Sequence, residues 1–244
     1  MKVKLGIIGG SGLYEFLAKA TEKSVKTPYG KPSDKISIGE IEGEKVAFLP
    51  RHGKKHSFPP HNINHRANIF ALDSFGIKNI VSVASVGMIN ANINKGDFVI
   101  LDDLLDFTKK IYTFHDVFKS KPMHTDMTNP FSPKLRKILI ETCKEKNYNF
   151  VDNGIYVNTW GPRLETKAEI RMFNNLGADV VGMTVAPEAI LSKELGIEYA
   201  CIAVGINYAC GIEKGPIEIG KGREIIKKKL PQLREIIKEV IKRI

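Results

Sequence analysis

The sequence predicts an α/β fold: one domain, residues 1–244, with a mixed, mostly parallel central β-sheet flanked by helices. Three observations predict it. Short apolar runs bounded by glycine or polar residues alternate with segments of helical period. The first apolar run, Lys2 to Ile8, leads straight into the glycine-rich turn Gly9-Gly10-Ser11-Gly12. Side chains with polar or ligand-binding character gather where apolar runs stop: Ser11, Arg51, Ser85, Met183-Thr184 and Asn207. The ends of strands are where α/β sheets hold ligands.

Each element follows from its local pattern. Lys35 to Ile41 and Lys45 to Pro50 read as a hairpin about Glu42-Gly43. Asn64 to Phe75 has helical spacing. Asn79 to Val83 is a strand running into Ala84-Ser85-Val86-Gly87, and Phe98 to Leu101 is a second short strand. Asp106 to Pro130 is a long irregular segment carrying His115 and His124; such loops often serve function, and these histidines can equally be surface residues. Ser132 to Lys146 is an amphipathic helix with Pro133 in its first turn. Gly154 to Val157 is a strand. Asn158 to Glu188 then holds a Gly-Pro turn, a helix, a short apolar strand and the tip Met183-Thr184. Ala186 to Leu195 is a helix ended by Gly196. Glu198 to Ile206 is an apolar strand stopping at Asn207-Tyr208-Ala209. Residues 221–244 repeat apolar side chains on one helix face, with a bend expected near Pro231.

The chain has 244 residues, enough for a sizeable core. It shows no internal repeat or linker. Hydrophobic residues make up 43% and no run approaches the ~20 apolar residues of a membrane span. Met1 to Leu5 leaves no room for a signal peptide, so a cytoplasmic location is expected. The three cysteines are too scattered for a disulfide framework. The formal charge is +10, and residues 221–244 hold nine Lys/Arg against three Glu. That charge raises nucleic-acid binding, but no nucleic-acid motif accompanies it; a solvated helix face accounts for it, and a basic surface can also raise the local concentration of an anionic substrate.

The segment RHGKKHSFPPHNINHRAN places Arg51 at a strand end with His52, His56, His61 and His65 beyond it. The histidine spacings raise a metal site. No acidic residue or cysteine lies among them, and two prolines break any helix that would align them. An anion site on the planar fork of Arg51 is the better reading. Gly9 to Gly12 can cradle a phosphate with its backbone N–H groups, or can be a plain tight turn.

These motifs together carry a family resemblance. GIIGGSGL, PRHGKKH, NIFAL, GPRLETKAE, GADVVGMTVAPE and the Asn207-Tyr208 strand tip occur in order over about residues 3–211. The chain resembles the methylthioadenosine phosphorylase and purine nucleoside phosphorylase family. The resemblance implies a nucleoside phosphorylase-like fold, a homotrimer, and cleavage of a purine nucleoside by inorganic phosphate. It implies no metal and no organic cofactor, phosphate being a co-substrate. Ser11, Arg51, His52, Ala84, Ser85 and Thr184 would hold phosphate, with Arg51, His52 and Asn207 serving catalysis. Met183 would touch the sugar, and Glu165, Asn207, Tyr208 and Ala209 would face the base. His124 would approach the 5′ end, from a neighbouring subunit. The segment Pro216 to Gly222, with Gly220 as a specificity position, would close that end.

One departure within the family sets the expected substrate. Adenine-specific members carry Asp at the positions of Asn207 and Ala209 and a small hydroxyl residue at Glu165. An ionised Glu165 only accepts hydrogen bonds and suits the N1–H of a 6-oxopurine. Adenine would set a lone pair against it, a mismatch costing ~1–3 kcal/mol when buried. The alternative for Glu165 is a helix-start carboxylate that serves only the dipole. The expected substrate is S-methyl-5′-thioinosine, followed by inosine or guanosine, then methylthioadenosine.

Overall fold

Leu5–Gly9 (β1) is apolar or glycine throughout and all five residues are buried. A strand without polar alternation belongs in the middle of a sheet covered on both faces. The computed structural model describes residues 3–10, 17, 20–117 and 121–244, and places β1 there. The other strands are β2 (Thr21–Lys23), β3 (Ile36–Ile41), β4 (Glu44–Pro50), β5 (Asn79–Met88), β6 (Phe98–Asp106), β7 (Phe150–Asn158), β8 (Val180–Gly182) and β9 (Glu198–Tyr208). Among the described residues they form one nine-stranded sheet in the order β2-β3-β4-β1-β5-β8-β7-β6-β9. β5 also pairs with β9, so β5, β8, β7, β6 and β9 close into a ring. Pairings β1–β4, β1–β5, β5–β9, β6–β7 and β7–β8 are parallel, and β2–β3, β3–β4, β5–β8 and β6–β9 are antiparallel. The sheet is mixed, as expected.

Helices cover both faces. α1 (His65–Asp73) and α4 (Val185–Glu194) bury Ile69, Leu72, Val185, Ala189 and Leu191 in one core layer. α2 (Pro133–Glu145) and α5 (Ile219–Arg243) bury Leu135, Leu139, Leu233, Ile236, Ile237, Val240 and Ile241 in the other. α3 (Lys167–Asn175) packs Ile170 and Phe173 on Val157 and Val181. The helix starts have local causes. Ser132 accepts from the Leu135 N–H ahead of α2. Thr166 and Glu169 form a reciprocal capping box on α3.

Three strands run further than the apolar pattern indicates. β5 continues through Ala84-Ser85-Val86-Gly87 because β9 pairs with it to Tyr208. β6 continues through the polar Asp102 and Asp103 because its second half lies against β7, with Leu104 opposite Tyr156. β7 begins at Phe150, opposite Phe98. α5 includes Pro231 rather than stopping at it, since apolar positions on both sides of the proline reach the same core layer. The segment after β6 is tied down: Thr113 Oγ1 and the Phe114 N–H donate to Glu194, and Arg66 pairs with Asp116.

Leu233 is fully buried where α5 meets the sheet. Replacing it with alanine is expected to cost ~2–5 kcal/mol in urea unfolding, the usual range for a buried leucine. A loss below about 1 kcal/mol would contradict the docked position of α5.

Candidate active site

A cavity of about 520 Å³ opens beyond Gly10, at the ends of β1, β4 and β8, and is walled by β5, β9 and α5. Its floor depends on one side chain. β4 delivers Arg51, whose N–H bonds to the Gly9 carbonyl at 2.8 Å. The guanidinium is 2% exposed and donates to both oxygens of Glu188, from Nε at 2.5 Å and Nη2 at 2.9 Å. Nη1 donates to the Val83 carbonyl at 2.8 Å. Glu188 also accepts from the Tyr199 hydroxyl at 2.8 Å, and Ser82 Oγ lies 2.7 Å from that hydroxyl. Burial alone pushes the Arg51 guanidinium down; the charge and hydrogen bonds of Glu188 outweigh it and hold it above its ordinary value. A guanidinium has five N–H groups. Three are committed here, which leaves one on each terminal nitrogen for a ligand.

Thr184 lines the same cavity as Arg51, at the entry to α4. The Tyr156 hydroxyl accepts from the N–H groups of Thr184 (3.2 Å) and Val185 (3.4 Å). Asn158 Oδ1 accepts from the Ala186 N–H at 3.1 Å. The first amides of α4 are thereby satisfied, and the Thr184 side chain makes no capping bond of its own. Gly182 is required next to it, because a Cβ there would collide with the Tyr156 hydroxyl. Gly161, in the Gly-Pro turn, has φ +60°, and a Cβ on it would strike the Met183 sulfur.

His52 donates from Nδ1 to the Phe58 carbonyl at 2.8 Å, since a carbonyl only accepts. Burial lowers its pKa to about 4, the Phe58 bond opposes this, and Arg51 adds to the lowering. The ring is therefore neutral at pH 7, with Nε2 an acceptor. The His56 ring lies 4.4 Å from it, and its pKa is lowered by burial and then by Arg223.

Glu165 also lines the cavity and is 7% exposed. Its Oε1 accepts from Thr159 Oγ1 at 2.6 Å, and Oε2 has no protein donor among the described residues. It lines the cavity rather than capping α3; that helix is capped by Thr166 and Glu169. Asn207 donates from Nδ2 to the Tyr208 carbonyl at 2.9 Å, leaving Oδ1 and one N–H for a ligand.

The cavity brings together Arg51, His52, Ser85, Glu165, Met183, Thr184, Asn207 and Ala209. Ser11 lies outside the described residues, though Gly10 before it is on the wall. Four expected residues are elsewhere. Ala84 is buried in the core, because strand alternation turns it away where Ser85 faces the cavity. Tyr208 alternates with Asn207 in the same way and packs against the core, its ring 5.2 Å from the Lys95 ammonium. Gly220 is exposed in the first turn of α5 and off the wall; Ile217 and Gly222 take that place. His124 is exposed and does not line this chain's cavity.

Sequence reasoning missed Glu188, Tyr156, Asn158 and Thr159, together with the α5 side chains Arg223, Ile226, Lys227 and Leu230. Glu188 had a signal: a carboxylate inside the apolar run Val185 to Leu191 needs a buried partner.

A buried arginine with two open N–H groups, strand-end hydroxyls and the open acceptors of Glu165 and Asn207 make a cavity suited to an anion and a ligand carrying N–H groups. The family model for the phosphorylase superfamily matches residues 4–242. A relative from Thermodesulfovibrio yellowstonii, described as probable S-methyl-5′-thioinosine phosphorylase, is 44% identical over 100% of this chain and 92% of its own length. A probable 6-oxopurine nucleoside phosphorylase from Thermococcus kodakarensis is 44% identical over 98% of this chain and 91% of its own. The methylthioadenosine phosphorylase of Schistosoma mansoni, solved with adenine, superposes with a TM-score of 0.91 at 32% identity, covering 99% of this chain and 91% of that one. The chain belongs to the phosphorylase superfamily and is an enzyme of its purine nucleoside phosphorylase, glycosyltransferase-type class.

Glu188→Gln would leave the Arg51 charge buried without its counter-charge. Breaking such a pair costs ~3–5 kcal/mol, and an anion bound at Arg51 should recover part of it. Thermal melts are expected to show a lowered Tm and a larger upward shift with phosphate than in the parent. Equal phosphate shifts in both proteins would contradict the role assigned to the pair.

Proposed function

We propose that the protein cleaves S-methyl-5′-thioinosine with inorganic phosphate, giving hypoxanthine and S-methyl-5-thioribose 1-phosphate. Arg51, Ser85 and Thr184, with the Gly9–Gly10 backbone and Ser11, hold phosphate against the sugar carbon. Catalysis then comes from positioning and preorganised donors. His52, neutral with Nε2 as acceptor, suits the P–OH of hydrogen phosphate. A phosphate oxygen bonds to C1′ as the C1′–N9 bond breaks, and that electron pair leaves with the purine. The departing base takes a proton from water at N7, and Asn207 Oδ1 accepts from that N7–H. Met183 borders the sugar.

The buried Glu165 carboxylate carries the choice of base. Its free oxygen accepts from N1–H of a 6-oxopurine, whereas the N1 lone pair of adenine would oppose it. Ala209, where an aspartate would reach the base of an adenine substrate, offers no polar group. Ile206, Ile217, Ile226 and Leu230 make the wall near α5 largely apolar and favour an S-methyl group over a 5′-hydroxyl. Inosine or guanosine is the second reading, supported by the 6-oxopurine relative.

The same proposal includes a homotrimer in the cytoplasm, using neither metal nor organic cofactor. Ile111, Val117 and Met123 are exposed on the segment that carries His124. Covering them with a neighbouring subunit would bring His124 towards that subunit's cavity. Among the described residues, no helix is long and apolar enough to cross a membrane.

Phosphate-dependent rates on methylthioinosine, methylthioadenosine, inosine and guanosine test the assignment. Methylthioinosine should give the highest kcat/KM. Glu165→Gln should lower it about 10–100-fold, equivalent to ~1–3 kcal/mol, and narrow the gap to methylthioadenosine. A higher kcat/KM for methylthioadenosine in the parent enzyme would overturn the 6-oxopurine assignment.

A further inference from the structure

The proposed choice of base needs Glu165 to stay in place. A carboxylate on a free side chain can swing away from a base that opposes it, and the penalty for the wrong base then shrinks. Discrimination between two bases of similar shape requires an acceptor that cannot retreat. The turn that carries Glu165 is fixed at three points. The Thr159 N–H donates to the Gly182 carbonyl of β8 at 2.8 Å. Gly161 lies so close to the Met183 sulfur that a Cβ on it would collide. Both Nη atoms of Arg163 bond to Glu169, at 2.8 and 2.7 Å, which ties the turn to α3.

These contacts hold the backbone, and a single protein donor holds the side chain among the described residues. Thr159 Oγ1 donates to Glu165 Oε1 at 2.6 Å, across six residues of the turn. A hydroxyl has one proton to give. The Gly182 carbonyl is the more distant acceptor, at 3.3 Å, so the proton goes to the carboxylate. Hydrogen bonds to ionised acceptors are short and roughly twice as strong as neutral ones. The donor is itself rigid: threonine is β-branched and stiff at χ1, and the Thr159 backbone is bonded to β8. Thr159 does not line the cavity, so it can reach the base only through Glu165.

We propose that Thr159 is a positioning residue that determines base specificity. Its hydroxyl fixes the Glu165 carboxylate so that the open oxygen accepts from N1–H of a 6-oxopurine and cannot withdraw from the N1 lone pair of adenine. The inference rests on the reading above in which Glu165 meets N1. It adds that the glutamate is not sufficient alone: without the Thr159 hydroxyl the same carboxylate tells the two bases apart poorly.

The test measures phosphate-dependent kcat/KM for methylthioinosine and methylthioadenosine in the parent enzyme, Thr159→Val, Thr159→Ser, Glu165→Ala, and Thr159→Val combined with Glu165→Ala. Valine keeps the shape of threonine and removes the hydroxyl, whereas serine keeps the hydroxyl. Thr159→Val should lower the ratio of methylthioinosine to methylthioadenosine about 10-fold, the size expected for a lost hydrogen bond to a charged group. Thr159→Ser should retain most of the parent ratio. In the Glu165→Ala background the valine substitution should change the ratio by less than about twofold, because the group it acts through is gone. Calorimetric titration with hypoxanthine and with adenine, in the presence of phosphate, gives the same comparison in a variant with poor turnover. An unchanged ratio in Thr159→Val, equal losses on both nucleosides, or a Thr159→Ser variant as relaxed as Thr159→Val would overturn this inference alone. So would an undiminished valine effect in the Glu165→Ala background, which would make Thr159 a brace for β8. A parent enzyme that prefers methylthioadenosine would overturn the reading of Glu165 as well.

Discussion

The buried pair of Arg51 and Glu188 is the contact on which the site depends. It joins the end of β4 to the first turn of α4 and reaches β5 through the Val83 carbonyl. Tyr199 and Ser82 extend it to β9 and back to β5. Removing two charges from water is costly, and the return is adequate only with good geometry and filled hydrogen-bonding capacity. Here the carboxylate takes three donors and the guanidinium spends three of its N–H groups. The pair fixes where the remaining two N–H groups stand.

That arrangement has a consequence for how the ligands are divided. A neutralised arginine gives direction rather than net charge. Ser85 and Thr184 line the same cavity and offer hydroxyl groups to a ligand there. Two other lining residues work by the opposite sign: Glu165, held by Thr159, presents an acceptor, and Asn207 presents another. The cavity thus offers donors that suit an anion and acceptors that suit a group carrying N–H.

Much of this was legible in the sequence, because glycine, apolar runs and strand-end polar residues are local signals. β1, the β3–β4 hairpin and the helices were placed by pattern. The ends of β5 and β6 were not, since Ser85 and Asp102–Asp103 enter strands through pairing with β9 and β7, which no local pattern records. Ala84 and Tyr208 were assigned to the site with their neighbours, although strand alternation separates each from Ser85 and Asn207. Glu188 was missed because its partner lies 137 residues away. The α5 cations were read as a solvated face; Arg223 and Lys227 are exposed as that reading expects, and they also line the cavity.

A crystal structure of the enzyme with phosphate and hypoxanthine tests the central claim most directly. The account predicts Arg51 still paired with Glu188 while its free N–H groups reach phosphate, with Glu165 in hydrogen-bond contact with N1 and Asn207 with N7. Phosphate bound away from Arg51, or the base bound with Glu165 turned from it, would contradict the account.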